Sequence, residues 1–267
     1  MLARRPSQKT AIGGRVAVVI PTQKDVFDER DEISIEQCVR VLGSHTNILA
    51  HPGEIDGAGL ANRYGLDGNE PFPNAYFSTY TNYNGAVLRE DFYERFLRFD
   101  YILLYQLDCF VFSDQLLEWC DCGYDYIGAP LGPVSAAAEA YVNDGYLPWW
   151  RRHQRSRMSG DIGGRQLLNG GFSLRRTRTF YWISRLWRKK VALWGKNEDL
   201  FWSLAASGYW PRFRLPTATM AARFALMVNV RNWLDKADGE LPFGCHGWPR
   251  YETDVWRPYL AAFGYRI

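Results

Sequence analysis

The sequence predicts an α/β fold with a mostly parallel central sheet and helices on both faces. Short, wholly apolar runs that end in loop-forming residues read as buried parallel strands. They alternate with segments of helical spacing, and the order strand, helix, strand opens a doubly wound fold. The 267 residues, 47% of them hydrophobic, suffice for one such domain with a full core.

Arg15-Val-Ala-Val-Val-Ile-Pro-Thr22 is an apolar run that stops at Pro21, a first strand ending in a loop. Asp31 to Leu42 places Ile33, Cys38, Val41 and Leu42 at helical spacing, and Thr46 to Ala50 reads as a second strand. Residues 53–73 are rich in Gly, Asn, Asp and Pro and are expected to be mostly loop. Asn84 to Phe96 reads as a helix. Tyr101-Ile-Leu-Leu-Tyr105 is the clearest central strand and runs into Gln106-Leu-Asp-Cys-Phe-Val-Phe112. A helix then begins near Asp114, a residue type suited to an N-cap. Asp125 to Pro130 and Gly170 to Arg175 read as further strands, Thr177 to Leu193 as a basic, aromatic helix, and Glu198 to Ser207 as another helix.

Residues 16–267 are expected to form one domain, preceded by a flexible basic leader over residues 1–15 that lacks the apolar region of a secretory signal. Residues 131–165 break the strand–helix pattern, and the length of this insertion suggests a functional loop or lid. The net charge of +3 is too small to imply a nucleic-acid partner. No apolar run reaches the length of a membrane span. Five cysteines, Cys38, Cys109, Cys120, Cys122 and Cys245, are odd in number and scattered. That argues against a disulfide framework or a zinc site and for a reducing cytoplasm. The aromatic share is 16%, with 11 Trp. Such an excess fits either a bulky core or stacking on the apolar faces of sugar rings.

In open parallel sheets, ligands bind beyond the carboxyl ends of the strands. The first strand delivers Pro21, Thr22 and Gln23 there, the central strand delivers Gln106 and Asp108, and Asn169-Gly170-Gly171 precedes a later strand. Asp108 lies between two apolar stretches. A carboxylate in that setting must be paired, solvated in a cleft or bound to a cation. Asn197-Glu198-Asp199 opens a helix, where acidic residues complement the dipole and can also serve as a general base. Trp149 to Arg157 joins two indoles to four arginines. With the basic stretch Arg175 to Lys190 it suits a lid, a phosphate-bearing acceptor or a peripheral contact with anionic lipid at the inner face of a membrane.

Residues 105–119, Tyr-Gln-Leu-Asp-Cys-Phe-Val-Phe-Ser-Asp-Gln-Leu-Leu-Glu-Trp, resemble the metal-binding segment of GT-A glycosyltransferases of the glycogenin kind. Asp108 matches the second Asp of their Asp-x-Asp, and Gln106 stands where the first would be. The chain also resembles a bacterial and fungal family of glycosyltransferase-like proteins. Their shared pieces are Val-Ile-Pro-Thr (19–22), Tyr-Gln-Leu-Asp (105–108), Gly-Tyr-Asp-Tyr-Ile-Gly-Ala-Pro (123–130), Asn-Gly-Gly-Phe-Ser-Leu-Arg (169–175), Asn-Glu-Asp-Leu-Phe-Trp (197–202) and Leu-Pro-Phe-Gly-Cys-His-Gly-Trp (241–248).

The resemblance implies a GT-A (Rossmann-like) fold and transfer of a sugar from a nucleotide-sugar donor, UDP-linked by preference, to a glycan or lipid-linked acceptor. It implies a divalent cation, Mn²⁺ or Mg²⁺, held by Asp108 and by His246, which is similar to the late histidine of the glycogenin-type enzymes. It assigns Pro21, Thr22, Tyr83, Asn84, Gln106, Asp108, Asn169, Gly170 and Gly171 to the donor. The aromatic candidates for the acceptor are Trp149, Trp150 and Trp248. The pair at 198–199 resembles that of inverting enzymes, with Asp199 as base and Glu198 second. Two rivals remain. A catalytically silent sugar- or nucleotide-binding module is kept open by Gln106. A sugar nucleotidyltransferase is disfavoured, because Pro21-Thr-Gln-Lys-Asp25 lacks the glycines of a triphosphate-cradling loop.

Overall fold

The computed structural model describes residues 14–133, 166–206 and 212–267. Most of the expected leader, residues 134–165 of the expected lid, and with them Trp149, Trp150 and the arginine-rich run to Arg157, lie outside the described residues.

The chain opens with β1 (Val16–Pro21), α1 (Glu29–Leu42), β2 (Thr46–Pro52), α2 (Gly57–Tyr64) and β3 (Gly68–Phe72). It continues through α3 (Tyr80–Ala86), α4 (Glu90–Glu94), β4 (Tyr101–Tyr105), β5 (Cys109–Val111), α5 (Leu116–Asp121), β6 (Tyr126–Pro133) and β7 (Gln166–Arg176). Next come α6 (Thr177–Leu186), α7 (Arg188–Ala192), α8 (Glu198–Leu200), α9 (Ala218–Phe224), β8 (Ala225–Leu226), α10 (Val230–Lys236), β9 (Gly244–His246) and α11 (Thr253–Ala262). Among the described residues the main sheet runs β3-β2-β1-β4-β7-β6. β1, β2, β3 and β4 are mutually parallel, and β7 runs antiparallel to both β4 and β6. The order reverses between β1 and β4, which opens a crevice beyond their carboxyl ends.

Strand residues alternate between the two faces of the sheet. Ala17, Val19, Ile102 and Leu104 pack beneath α3, α4, α6 and the segment after α8. Val16, Val18, Ile20, Leu103 and Tyr105 pack against α1, α2 and α5. Helices on both faces are thus fixed by strands that are apolar on both sides. A small second sheet, β5-β9-β8, joins the C-terminal part to the main body. In its register Cys109 faces His246, and this pairing brings the end of the chain to the end of β4.

Three local expectations change. Residues 53–73 hold α2 and β3 rather than loop. Asp56 accepts from the Gly59 N–H, and Gly65 ends α2 at φ 69°, so residues that read as turn formers act here as caps. Gly57 lies against the His51 ring, where a Cβ would collide with it. β3 is an edge strand, where Pro71 is tolerated. The long helices expected over 84–96 and 177–193 are each broken, at Val87–Arg89 and at Trp187 (φ −107°, ψ 18°). The helix at Glu198 widens after one turn into a π-helical turn, Phe201–Ala205. Such turns are rare and frequently lie at functional sites.

Candidate active site at the end of the central strand

A cleft of about 500 Å³ lies beyond β1 and β4. Its walls include Thr22, Lys24, Tyr80, Tyr83, Gln106, Asp108 and Arg250, with Pro21 at the end of β1. Each position follows from the strands: β1 stops at Pro21 and β4 at Tyr105, so the next residues turn outward at the crevice.

Asp108 and His246 meet there, with Asp108 Oδ1 3.0 Å from His246 Nε2. The Asp108 carbonyl accepts the Gly247 N–H (2.9 Å) and the Trp248 N–H (3.3 Å), which ties the two loops together. Gln106 Oε1 is 3.1 Å from His246 Nε2, and Gln106 Nε2 donates to the Tyr83 hydroxyl at 3.2 Å. Asp108 Oδ1 is buried and, despite its nearness to the imidazole, has no hydrogen bond of acceptable geometry among the described residues. Burial pushes the Asp108 carboxyl up, but His246 and then Arg250 outweigh it and hold it below its usual range.

Three acceptor-capable atoms therefore converge: Asp108 Oδ1, Gln106 Oε1 and His246 Nε2. Asp108, Cys109 and His246 also place one ligand-capable atom each within 4.8 Å of one another. Carboxylate, amide oxygen and imidazole form a donor set suited to Mn²⁺ or Mg²⁺. Cys109 is the poor member, because burial raises its thiol well above the ordinary value and Sγ points to the Gly171 carbonyl at 3.4 Å. The site thus fits a hard divalent cation through the orphaned oxygen of Asp108.

Asp199 stands at the start of α8. Burial, reinforced by the negative charge of Glu198, raises its carboxyl to about 7. Its charge acts on Tyr80 in the cleft wall and is stabilised by Arg175 and His246. Oδ1 accepts the Leu200 N–H at 2.7 Å, which fixes the side chain. A carboxyl of this kind is matched to general-base work near neutrality.

Glu198 is different. It forms a buried ion pair with Arg175, 2.9 Å from Nη2. Burial is the dominant influence on its carboxyl, which stays raised although Arg175 opposes the shift. Its role as an alternative base is corrected on that ground: the carboxylate is committed to Arg175 and anchors the helix that carries Asp199.

Other expectations are redrawn. Gly170 and Gly171 are not left bare for a sugar. A Cβ on Gly170 would strike Glu198 Oε1 and come within 2.9 Å of Arg175 Nη2. One on Gly171 would strike His246 Nε2 and come within 2.7 Å of Gln106 Oε1. The glycines let the protein's own site residues approach the backbone. Asn169 Oδ1 accepts the Gly171 N–H at 2.8 Å and holds this turn. Asn84, expected at the nucleoside, is buried and spends its amide on the Glu198 N–H (3.0 Å) and the Tyr80 carbonyl (2.8 Å). Trp248 is only 1% exposed and donates to Ser34 Oγ at 3.2 Å, so it is a core residue and cannot stack on an acceptor. The N-cap position falls to Gln115, one residue after Asp114, whose Oδ1 accepts the Leu116 N–H at 3.4 Å and lies 2.8 Å from His45 Nε2. Gly171→Ala should displace His246 and Gln106 at an overpacking cost of about 1–3 kcal/mol. An unshifted thermal melt would show that both side chains make room.

Two cations near the cleft were not assigned to it from the sequence. Arg250 lines the cleft and acts on Asp108, but nothing in its local sequence marks it. Arg175 ends an apolar strand, Gly-Phe-Ser-Leu-Arg, and a cation in such a run signals a buried partner.

A family model described as "Protein of unknown function (DUF5672)" matches residues 68–246. No curated protein matches the chain. Among solved structures it is similar to the galactosyltransferase LgtC in complex with donor and acceptor sugar analogues, at TM-score 0.50 and 14% identity over 86% of each chain. Mouse xyloside xylosyltransferase 1 matches at TM-score 0.49 and 14% identity, covering 87% of this chain and 97% of that one. Core-mannan synthase A of Aspergillus fumigatus, in a Mn/GDP form, matches at 0.48 and 11%, covering 73% and 69%. The LgtC match shows the fold to be of the GT-A type. The chain belongs to the family described as DUF5672 and builds it on a GT-A-type α/β fold.

Proposed function

We propose that this chain is a nucleotide-sugar-dependent glycosyltransferase whose active site is the cleft at the ends of β1 and β4. The observation that carries the reading is the convergence of Asp108, Gln106 and His246 at the strand-order reversal. Asp108 and His246, with Gln106, would hold a divalent cation, which supplies charge neutralisation for the donor diphosphate. Arg250 adds positive charge to the same cleft, whereas Lys24 is taken by Asp28 (2.9 Å) and Asp31 (2.6 Å). Pro21, Thr22 and Tyr83 line the nucleoside side.

Asp199 takes the proton of the acceptor hydroxyl as its oxygen bonds to the anomeric carbon. The bond from that carbon to the nucleoside diphosphate breaks in line, and the product has inverted configuration. A UDP-sugar donor, a glycan or lipid-linked acceptor and a place in polysaccharide synthesis complete the reading. All five cysteines are free, which suits the reducing cytoplasm this proposal takes as the site of action.

Thermal shift against a panel of nucleotide sugars, with and without Mn²⁺, tests the binding half. A cognate donor at a hundred times its Kd stabilises by about 2.7 kcal/mol, and Asp108→Ala should abolish that shift with Mn²⁺ present. If no nucleotide sugar raises the melting temperature, the reading fails. Gln106 in place of a carboxylate favours one alternative, a binding module without turnover. A labelled donor that binds but is neither transferred nor slowly hydrolysed would establish it, and pyrophosphate release would instead mark a nucleotidyltransferase.

A further inference from the structure

From Thr177 to Asn197 the chain contains no acidic residue and six cations: Arg178, Arg185, Arg188, Lys189, Lys190 and Lys196. α6 and α7 carry most of them. On α6, Arg178, Trp182, Arg185 and Leu186 fall within a wedge of about 100°, opposite the buried Phe180, Ile183 and Ser184. Trp182 is 45% exposed and Leu186 60% exposed. Among the described residues no ion pair engages Arg178, Arg185, Arg188 or Lys189. Arg185 donates to the Tyr181 hydroxyl at 2.9 Å. Arg188 and Lys189 also border a groove of about 760 Å³ shared with Glu90 and Asp91, of which Asp91 is held by Arg89 and Tyr76.

We propose that this face docks the protein on the surface of an anionic phospholipid bilayer. Arg178, Arg185, Arg188 and Lys189, exposed and in a segment without an acidic residue, attract a negative surface. A soluble polyanion would be recognised by the cations alone and gives no reason for an indole and a leucine to stand in water among them. A bilayer interface accounts for both: headgroups meet the arginines and lysines, while Trp182 and Leu186 enter the boundary with the acyl chains. The proposal is independent of the transferase reading, because the face lies outside the cleft.

The test is flotation of the whole protein with vesicles of phosphatidylcholine alone and of phosphatidylcholine mixed with phosphatidylglycerol. Binding to the mixed vesicles, lost at high salt and absent with phosphatidylcholine alone, is expected. The double variant Arg188→Glu, Lys189→Glu should weaken it by about tenfold or more, and Trp182→Ala with Leu186→Ser by about tenfold or more. These positions are exposed, so thermal melts should match the parent and confirm that each variant is folded. Absence of binding to the mixed vesicles overturns the proposal. Binding to the mixed vesicles that neither double variant weakens also overturns it, and places the docking face elsewhere on the protein.

Discussion

Asp199→Asn should leave donor binding intact and slow transfer by about two to four orders of magnitude, the usual worth of a positioned base. The same change should stabilise the protein in alkaline solution. With a folded-state value of about 7 against a model value of 3.8, Asp199 holds its proton in the fold at pH values where the unfolded chain has released it. The fold therefore enjoys the full benefit of the neutral form below about pH 4 and loses it progressively as the pH rises through about 7. At pH 8 the ionised carboxylate costs at most about 4 kcal/mol, and an amide in its place removes part of that. Melting temperatures of the two proteins should coincide near pH 4 and separate in favour of the variant by pH 8. The parent's transfer rate should rise with pH toward a plateau above about 7. Near-normal turnover by the variant would remove Asp199 from the chemistry, and NMR of the product's anomeric proton decides the inverting outcome separately.

Arg175→Met should be the most destabilising single change near the site. Arg175 is wholly buried and serves the Gly170 carbonyl (3.1 Å), the Tyr93 hydroxyl (2.9 Å), Ser173 Oγ (3.0 Å) and Glu198. Burial alone would lower its affinity for a proton, but Glu198 and the surrounding phenols reverse that and keep it charged. Removing it strands Glu198, whose Oε2 already has no hydrogen-bond partner among the described residues. Breaking one half of such a pair costs about 3–5 kcal/mol, or roughly ten degrees in melting temperature for a domain of this size. Arg175→Met combined with Glu198→Gln should recover part of the loss, since no unpaired charge then remains. A single variant that melts with the parent would show the pair to be dispensable.

The strands of the main sheet were legible because they are apolar on both faces, as in Val-Ala-Val-Val-Ile and Tyr-Ile-Leu-Leu-Tyr. α2 and β3 were not, because their glycines, Asp56 and Pro71 read as turn formers until caps and an edge position explain them. Asp108 and His246 could be brought together by resemblance, and β5 pairing with β9 is the physical reason they touch. The Arg175–Glu198 pair lay beyond reach, since nothing local to residue 198 says which cation faces it. Asn84, the two glycines and Trp248, expected against donor or acceptor, contact the protein's own residues. Each supports a site residue from behind, a distinction that depends on side-chain direction and not on residue type.

The strand order of the main sheet also bears on how the chain is made. β7 lies between β4 and β6, yet both neighbours precede it in sequence. While a ribosome is still adding residues after β6, the outer edge of β4, Tyr101–Tyr105, has no partner within its own sheet. A bare, apolar strand edge is a template for pairing with other chains. Until β7 has emerged through Arg176 and paired, that edge is the open template of the growing sheet, and β7 is the element whose arrival closes it.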